Sequence, residues 1–139
     1  MIYSVVPEAN AAESLKAQIS KAICADHEHR LLMVLREGIL TDDGEMALLN
    51  HLRAMPEYTE GYSVLFDSSK SDESKITGDG VFKMAHAFRH DKNRFVIVTS
   101  NPYNLGLAKA YEACANWQLK RVAVFTRMQE ALEALGISD

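Results

Sequence analysis

Tyr62-Ser-Val-Leu-Phe-Asp-Ser-Ser-Lys-Ser-Asp-Glu-Ser-Lys-Ile-Thr-Gly-Asp-Gly-Val-Phe-Lys-Met-Ala-His-Ala-Phe88 carries three elements in succession. The apolar run Val64-Leu65-Phe66 reads as a buried strand. Asp67 is expected to close it, and Ser68, Ser69, Ser71 and Ser74, set among charges, to form a polar loop. Thr77 is placed to cap a helix whose apolar positions Val81, Met84, Ala85 and Phe88 share one face.

Upstream, Leu31–Leu35 reads as a strand, and Asp26-His27-Glu28-His29 before it as a polar turn. Residues 8–23 fit two patterns. Ala12, Leu15, Ile19 and Ile23 suit a helical face, whereas Leu15, Ala17, Ile19 and Ile23 suit alternation, with Lys21 the exception. A hairpin pairing Ile19–Cys24 with Arg30–Arg36 uses the polar turn best, leaving a short helix or loop across 8–15. Ile2–Val6 reads as a short strand interrupted by Pro7. Gly38 is expected to end the second strand. Asp42, with Glu45 three residues on, has the spacing of a capping box. Leu48, Leu49, Leu52 and Met55 form the buried stripe of that helix, Pro56 stops it, and Glu57–Gly61 is a loop.

Downstream, Arg94–Ser100 contains the buried strand Phe95-Val96-Ile97-Val98. Asn101 is a good N-cap and Pro102 suits the first helical position. That helix runs to about Asn116, with Leu107, Ala108, Tyr111, Cys114 and Ala115 on one broad face. Val122–Phe125 is the last strand. Thr126 with Gln129 gives a second capping box, Met128, Ala131, Leu132 and Leu135 face the core, and Gly136 ends the chain's last helix. Strands alternating with helices imply parallel crossovers. The fold class expected is α/β: a mixed β-sheet opening with a hairpin, then alternating helix–strand units.

The 139 residues suit one domain, 1–139, with room for a real core. Hydrophobic residues at 47% and charged residues at 24% are those of an ordinary globular chain. A net charge of −4 gives no global attraction to nucleic acid or to an anionic membrane. Cys24 and Cys114 do not make a disulfide framework and read as buried free thiols. There is no signal-peptide pattern at the N-terminus and no apolar run of membrane-spanning length, so a cytoplasmic location is expected.

Taken together, the order and local patterns resemble the STAS/Sec14-type domains, which include sulfate-transporter and anti-sigma-factor-antagonist domains and their single-domain bacterial relatives. The resemblance covers about residues 16–136, leaving 1–15 as an N-terminal extension. It rests on Gly61-Tyr62-Ser63-Val64-Leu65-Phe66-Asp67, on Leu105-Gly106-Leu107-Ala108-Lys109-Ala110-Tyr111-Glu112-Ala113, and on Val124-Phe125 followed by Glu130-Ala131-Leu132. It implies a mixed sheet flanked by helices, with the loop after the central strand as an interaction surface. In anti-sigma-factor antagonists that loop carries Asp-Ser-Ser-Gly, whose first serine is phosphorylated. Laid on without gaps, the motif falls on Lys75-Ile76-Thr77-Gly78, so Ile76 stands at the acceptor position and the acceptor hydroxyl is missing.

Other constellations have plain structural readings. His86 and His90 are four apart on a helix, but with no third ligand they do not define a metal site. His27 and His29 belong to a turn. Asp67 with Ser68 and Ser69 sits beyond the carboxyl end of a strand, where α/β sheets bind ligands, yet a strand-end aspartate also organises turns. Thr77-Gly78-Asp79-Gly80 exposes helix-start N–H groups to an anion, while Asp79 itself complements that helix end. Lys83, Arg89, Lys92 and Arg94 form a basic neighbourhood diluted by Asp91, better read as a solvated face than as a nucleic-acid site. Tyr103, at a helix start, suits an interface or rests on the sheet edge.

The expectation is a non-catalytic regulatory or protein-interaction domain with no cofactor and no metal, acting on a protein partner or on itself as a homodimer. Its interaction surface would comprise Asp67, Ser68, Ser69, Thr77, Gly78, Asn101 and Tyr103. The alternative is a carrier or sensor of a small apolar or lipid-like ligand, as the Sec14-type likeness implies. The third reading is an enzyme using Asp67 and nearby groups.

Overall fold

A computed structural model describes residues 22–118 and 120–137, the side chain of Asp72 excepted. The expectations for residues 2–15, and for the hairpin strand from Ile19 to residue 21, lie outside the described residues. Among those described, five strands form one sheet in the order β1-β2-β3-β4-β5. Strand β1 (Ile23–Asp26) lies antiparallel to β2 (Leu31–Leu40), with Ile23 opposite Val34 and Asp26 opposite Leu31. Strands β3 (Ser63–Ser74), β4 (Phe95–Val98) and β5 (Val122–Phe125) continue the sheet in parallel from β2. The connections are helical: α1 (Asp42–Arg53) and the short α2 (Pro56–Thr59), then α3 (Gly78–Ala87), then α4 (Pro102–Trp117), with α5 (Met128–Ala134) last. The mixed sheet with an opening hairpin is therefore as the sequence order implies.

Strand alternation divides the core. Leu32, Val34, Val64, Phe66, Ile97 and Val124 face α1, α3 and α4 in the larger cluster. Leu31, Leu65, Val96 and Val98 face the other way, against Ala131 of α5. The helical stripes behave as their spacing predicts: Leu48, Leu49 and Leu52 of α1 and Val81, Met84 and Ala85 of α3 are buried. Among the described residues, no helix is long and apolar enough to cross a membrane.

Several boundaries differ from the expectation. Asp67 does not close the central strand: β3 runs to Ser74, and the serine-rich stretch is strand. Gly38 does not end β2 either; it adopts a φ of +72° and the strand goes on to Leu40. The two extensions pair with each other, Glu37 with Lys70, Gly38 with Ser71 and Leu40 with Ser74, across two register shifts. Of β3, only Val64–Asp67 pairs with β4, so the ribbon beyond it is two-stranded and carries polar residues without having to bury both of its faces.

Asp42 is not the cap of α1. Thr41 is, accepting from the Gly44 N–H at 3.0 Å. Thr126 likewise caps nothing: Arg127 occupies the cap position of α5, without a side-chain bond. Glu57 lies within α2, since Pro56 starts a helical turn after stopping the previous helix. Cys24 is exposed on the short edge strand rather than buried, and Cys114 is half-buried. The caps Thr77 and Asn101 are as expected: Thr77 accepts from Gly80 N–H, and Asn101 from the Tyr103 and Asn104 N–H groups.

Candidate functional site

Between the sheet and helices α1, α3 and α4 lies a cavity of about 70 Å³. Its floor is made by inward positions of the strands: Arg36 and Leu40 of β2, Phe66 and Ser68 of β3, and Phe95 and Ile97 of β4, with Thr99 just beyond. Leu49, Met84, Leu107 and Ala108 form apolar parts of the helical wall. The volume exceeds the roughly 10–15 Å³ that one water needs.

The polar groups of this site are almost all buried. Arg36 donates from Nη2 to Glu45 Oε1 at 2.7 Å and from Nε to the same oxygen at 3.1 Å. Its Nη1 donates to Ser68 Oγ at 3.0 Å. Glu45, which the sequence reading used as a capping residue, is therefore the partner of an inward arginine; it is 7% exposed. Three further oxygens on lining residues, Thr99 Oγ1, Asn104 Oδ1 and Tyr111 Oη, are buried and have no hydrogen-bond partner among the described residues. Leaving such a group unpaired costs about 1–3 kcal/mol, so three around one cavity call for a partner. Burial pushes the Tyr111 phenol well above its ordinary range, with the nearby Arg36 charge opposing this. Tyr111 is thereby a hydrogen-bonding group and a poor proton-transfer group at neutral pH.

The expected surface residues separate. Ser68 points to the cavity side, next to Arg36, and is 3% exposed. Asp67 lies on the opposite strand parity and accepts from Ser69 N–H at 3.1 Å and Ser69 Oγ–H at 2.6 Å. Asp67 and Ser69 thus satisfy each other away from Ser68. Thr77 is engaged on both sides: its hydroxyl donates to Asp42 Oδ2 at 2.7 Å and accepts from Gly80 N–H at 2.9 Å. Gly78 is exposed as the first residue of α3, and Asn101 is spent on capping α4. Tyr103 is 58% exposed and so does not rest on the sheet edge. Ile76, at the position of the missing phosphoacceptor, is 7% exposed and lines the cavity.

Sequence reasoning missed Arg36, Glu45, Thr99 and Asn104. A signal was present: Leu32-Val34-Arg36, Phe66-Ser68 and Ile97-Thr99 each place a polar residue on the inward parity of an apolar strand.

At the other end of the sheet a second buried polar group fastens the loop before β4. Lys120, 2% exposed, donates to the carbonyls of Asp91 and Asn93 and lies 3.8 Å from the centroid of the Phe95 ring. Burial lowers its ammonium to about 8. Asn93 Nδ2 donates to the Tyr58 and Tyr62 carbonyls, both at 2.8 Å, and Asp91 accepts from Arg53 and Tyr58. No fully buried side-chain polar atom of this cluster lacks a partner. Among the described residues no group of three metal-ligating side chains occurs, and His86 and His90 are exposed.

No protein-family model matches the chain. No curated protein matches it either. Among solved structures it is similar to an uncharacterized protein of the DUF3478 family with a SpoIIAA-like fold, from Shewanella loihica PV-4. The identity is 17%, the match covers 76% of this chain and 83% of that one, and the TM-score is 0.49.

Proposed function

We propose that this chain is a non-catalytic binding domain, a carrier or sensor whose ligand is a small, largely apolar molecule held between the sheet and helices α1, α3 and α4. The observation that carries this reading is the cavity itself, of about 70 Å³ and lined mainly by Leu40, Leu49, Phe66, Met84, Ile97 and Leu107. Small-molecule sites are mostly apolar concavities with a few placed polar groups, and Arg36, Thr99, Asn104 and Tyr111 supply those here. Catalysis is disfavoured by the chemistry of the wall. The Ser68 hydroxyl accepts from a guanidinium, which does not activate it as a nucleophile, and Tyr111 is displaced from the neutral range. Exposed Cys24 and half-buried Cys114, both free, suit a reducing compartment, and we place the domain in the cytoplasm.

Native mass spectrometry of the purified chain tests this, run beside Ala108→Phe, which fills the cavity. The expected result is a bound-ligand mass in the wild type, or binding of added xenon followed by xenon NMR, that the variant loses. A bare mass with no xenon binding in either protein would overturn the reading.

A second reading, a regulatory interaction domain, is favoured by two exposed aromatics on packed helices: Phe82 of α3 at 59% and Tyr103 of α4 at 58% exposure. Its partner would be another protein or a second copy, docking on the end of the sheet where Thr77, Gly78, Asn101 and Tyr103 emerge, with Asp67 and Ser69 at the margin. Exposed aromatic anchors are typical of such surfaces.

A further inference from the structure

The cavity gathers most of its polar groups towards the carboxyl ends of β3 and β4, and this orientation selects a ligand class. β3 and β4 run parallel with Phe66 opposite Ile97, and two residues further along each chain stand Ser68 and Thr99. Both strands therefore change from apolar to polar towards their carboxyl ends. Asn104 joins them there, in the first turns of α4, with its Nδ2 3.4 Å from Ser71 Oγ. Tyr111 lies seven residues on in a helix that returns towards the amino ends of the strands, about 10 Å away at 1.5 Å per residue. Tyr111 is thus a separate polar point on the helical wall, set back from Asn104.

Resting on the reading of a ligand cavity, we infer that the occupant is electrically neutral and carries a head that both donates and accepts, a primary amide or a hydroxyl. That head lies against Ser68, Thr99 and Asn104, and the apolar body runs along Phe66 and Ile97. The charge argument comes from Arg36. Its guanidinium is already neutralised by Glu45 at 2.7 Å and satisfied further by Ser68. An anion would have to compete with Glu45, and a cation with Arg36. Either would leave an unpaired charge among buried groups, which is costly. The donor–acceptor argument comes from the orphans. Asn104 Oδ1 needs a donor, and the Thr99 hydroxyl needs at least one partner of either kind. The Ser68 oxygen accepts from Arg36 and keeps its own O–H to donate. One acceptor beside two hydroxyl donors fits an amide or alcohol and does not fit a bare hydrocarbon end.

The test uses four three-carbon probes that suit a cavity of about 70 Å³, propionamide, propionate, propylammonium and propane, titrated into the 15N-labelled full chain and followed through the amide signals of the lining residues. Propionamide is expected to bind at least tenfold more tightly than either charged probe. Asn104→Leu and Thr99→Val, close in shape, should each weaken propionamide about tenfold and leave propane unchanged. Tyr111→Phe should leave the preference for propionamide intact, because the head is held by Ser68, Thr99 and Asn104. If all four probes bind alike, or a charged probe binds best, the inference fails while the cavity remains a ligand site. If Tyr111→Phe abolishes the preference and Asn104→Leu does not, the head lies at Tyr111 and the inference fails in that form. If no probe, propane included, perturbs the lining residues of a folded chain, the ligand reading and the inference fall together.

Discussion

The carboxylate of Asp42 sits on the start of α3, accepting from Thr77 N–H at 2.9 Å and from the Thr77 hydroxyl at 2.7 Å. The glycine-flanked helix start thus already holds an anion, supplied by the chain itself from the first turn of α1. A Cβ on Gly80 would collide with the Asp42 carboxylate, so glycine is needed there for close approach. Asp42→Ala is expected to cost about 1–2 kcal/mol, as loss of a capping interaction does. Gly80→Ala should also destabilise the wild type, but in the Asp42→Ala background it should be neutral or stabilising, since alanine is the better helix former. A urea-unfolding double-mutant cycle checks this; additive costs would mean that Asp42 and Gly80 are not in contact.

Arg36 and Glu45 form a pair whose members depend on each other. Removing one leaves the other charged and buried, so Arg36→Met and Glu45→Met should each cost about 3–5 kcal/mol. The double variant should recover most of that loss, because no uncompensated charge remains. Thermal and urea unfolding of the three variants decide it. A double variant as unstable as the sum of the singles would show that the two side chains are not coupled.

The sheet, its hairpin and its parallel order were legible because Leu31–Leu35, Val64–Phe66, Phe95–Val98 and Val122–Phe125 are apolar runs separated by helical stripes. The ribbon formed by Glu37–Leu40 and Lys70–Ser74 was not. Its residues are polar, and its pairing depends on where β2 ends rather than on its own composition. The site was only partly legible for a similar reason. Ser68 and Thr77 were singled out from a loop pattern, yet one lines the cavity and the other only caps a helix. Arg36, nine residues before Glu45, gave no local signature of an ion pair, since that contact exists only when α1 packs over β2.

Lys120 gives the stability curve an alkaline signature. Burial holds its ammonium at about 8, below the ordinary 10.5, so from pH 8 to 10.5 the unfolded chain binds more protons than the folded one. Stability therefore rises with pH through that window, and below pH 8 the cost of burying the charge is fully present. Tyr58 and Tyr111 are shifted upward from 10.0, mainly by burial, so their contribution holds below pH 10 and is lost above it. Urea midpoints should climb from pH 8 towards 10 and fall beyond. Lys120→Met should flatten the climb and leave the fall; an unchanged climb would assign it to another group.

Tyr103 distinguishes the interaction reading from a structural role. It is 58% exposed, so Tyr103→Ala should move the melting temperature little while weakening a partner complex, or self-association, by more than about 1 kcal/mol. Analytical ultracentrifugation of the purified chain and co-purification with a tagged copy give the two readouts. Unchanged association together with a lower melting temperature would return Tyr103 to the fold and remove it from the surface.

Among the described residues, the outer edge of β5 is closed by side chains rather than by a strand. Asn116 of α4 donates from Nδ2 to the Val122 carbonyl and accepts from the Val122 N–H on Oδ1, both at 3.1 Å, imitating the bonds of a neighbouring strand. One turn earlier, Glu112 Oε2 accepts from the Val124 N–H at 3.1 Å. Val122 and Val124 are the residues whose outward backbone groups would otherwise template another chain, and β5 stands last in the sheet order. Open edges of this kind invite edge-to-edge pairing. Glu112→Ala and Asn116→Ala together should therefore do two things. They should lower stability by roughly 1 kcal/mol per lost bond. They should also raise concentration-dependent association, seen as growing light scattering near the unfolding midpoint that the wild type does not show. The stability loss alone would follow from any partly buried hydrogen bond; it is the association that tests edge protection. A double variant that scatters no more than the wild type across a wide concentration range would mean that α4 only packs against β5 and does not guard it.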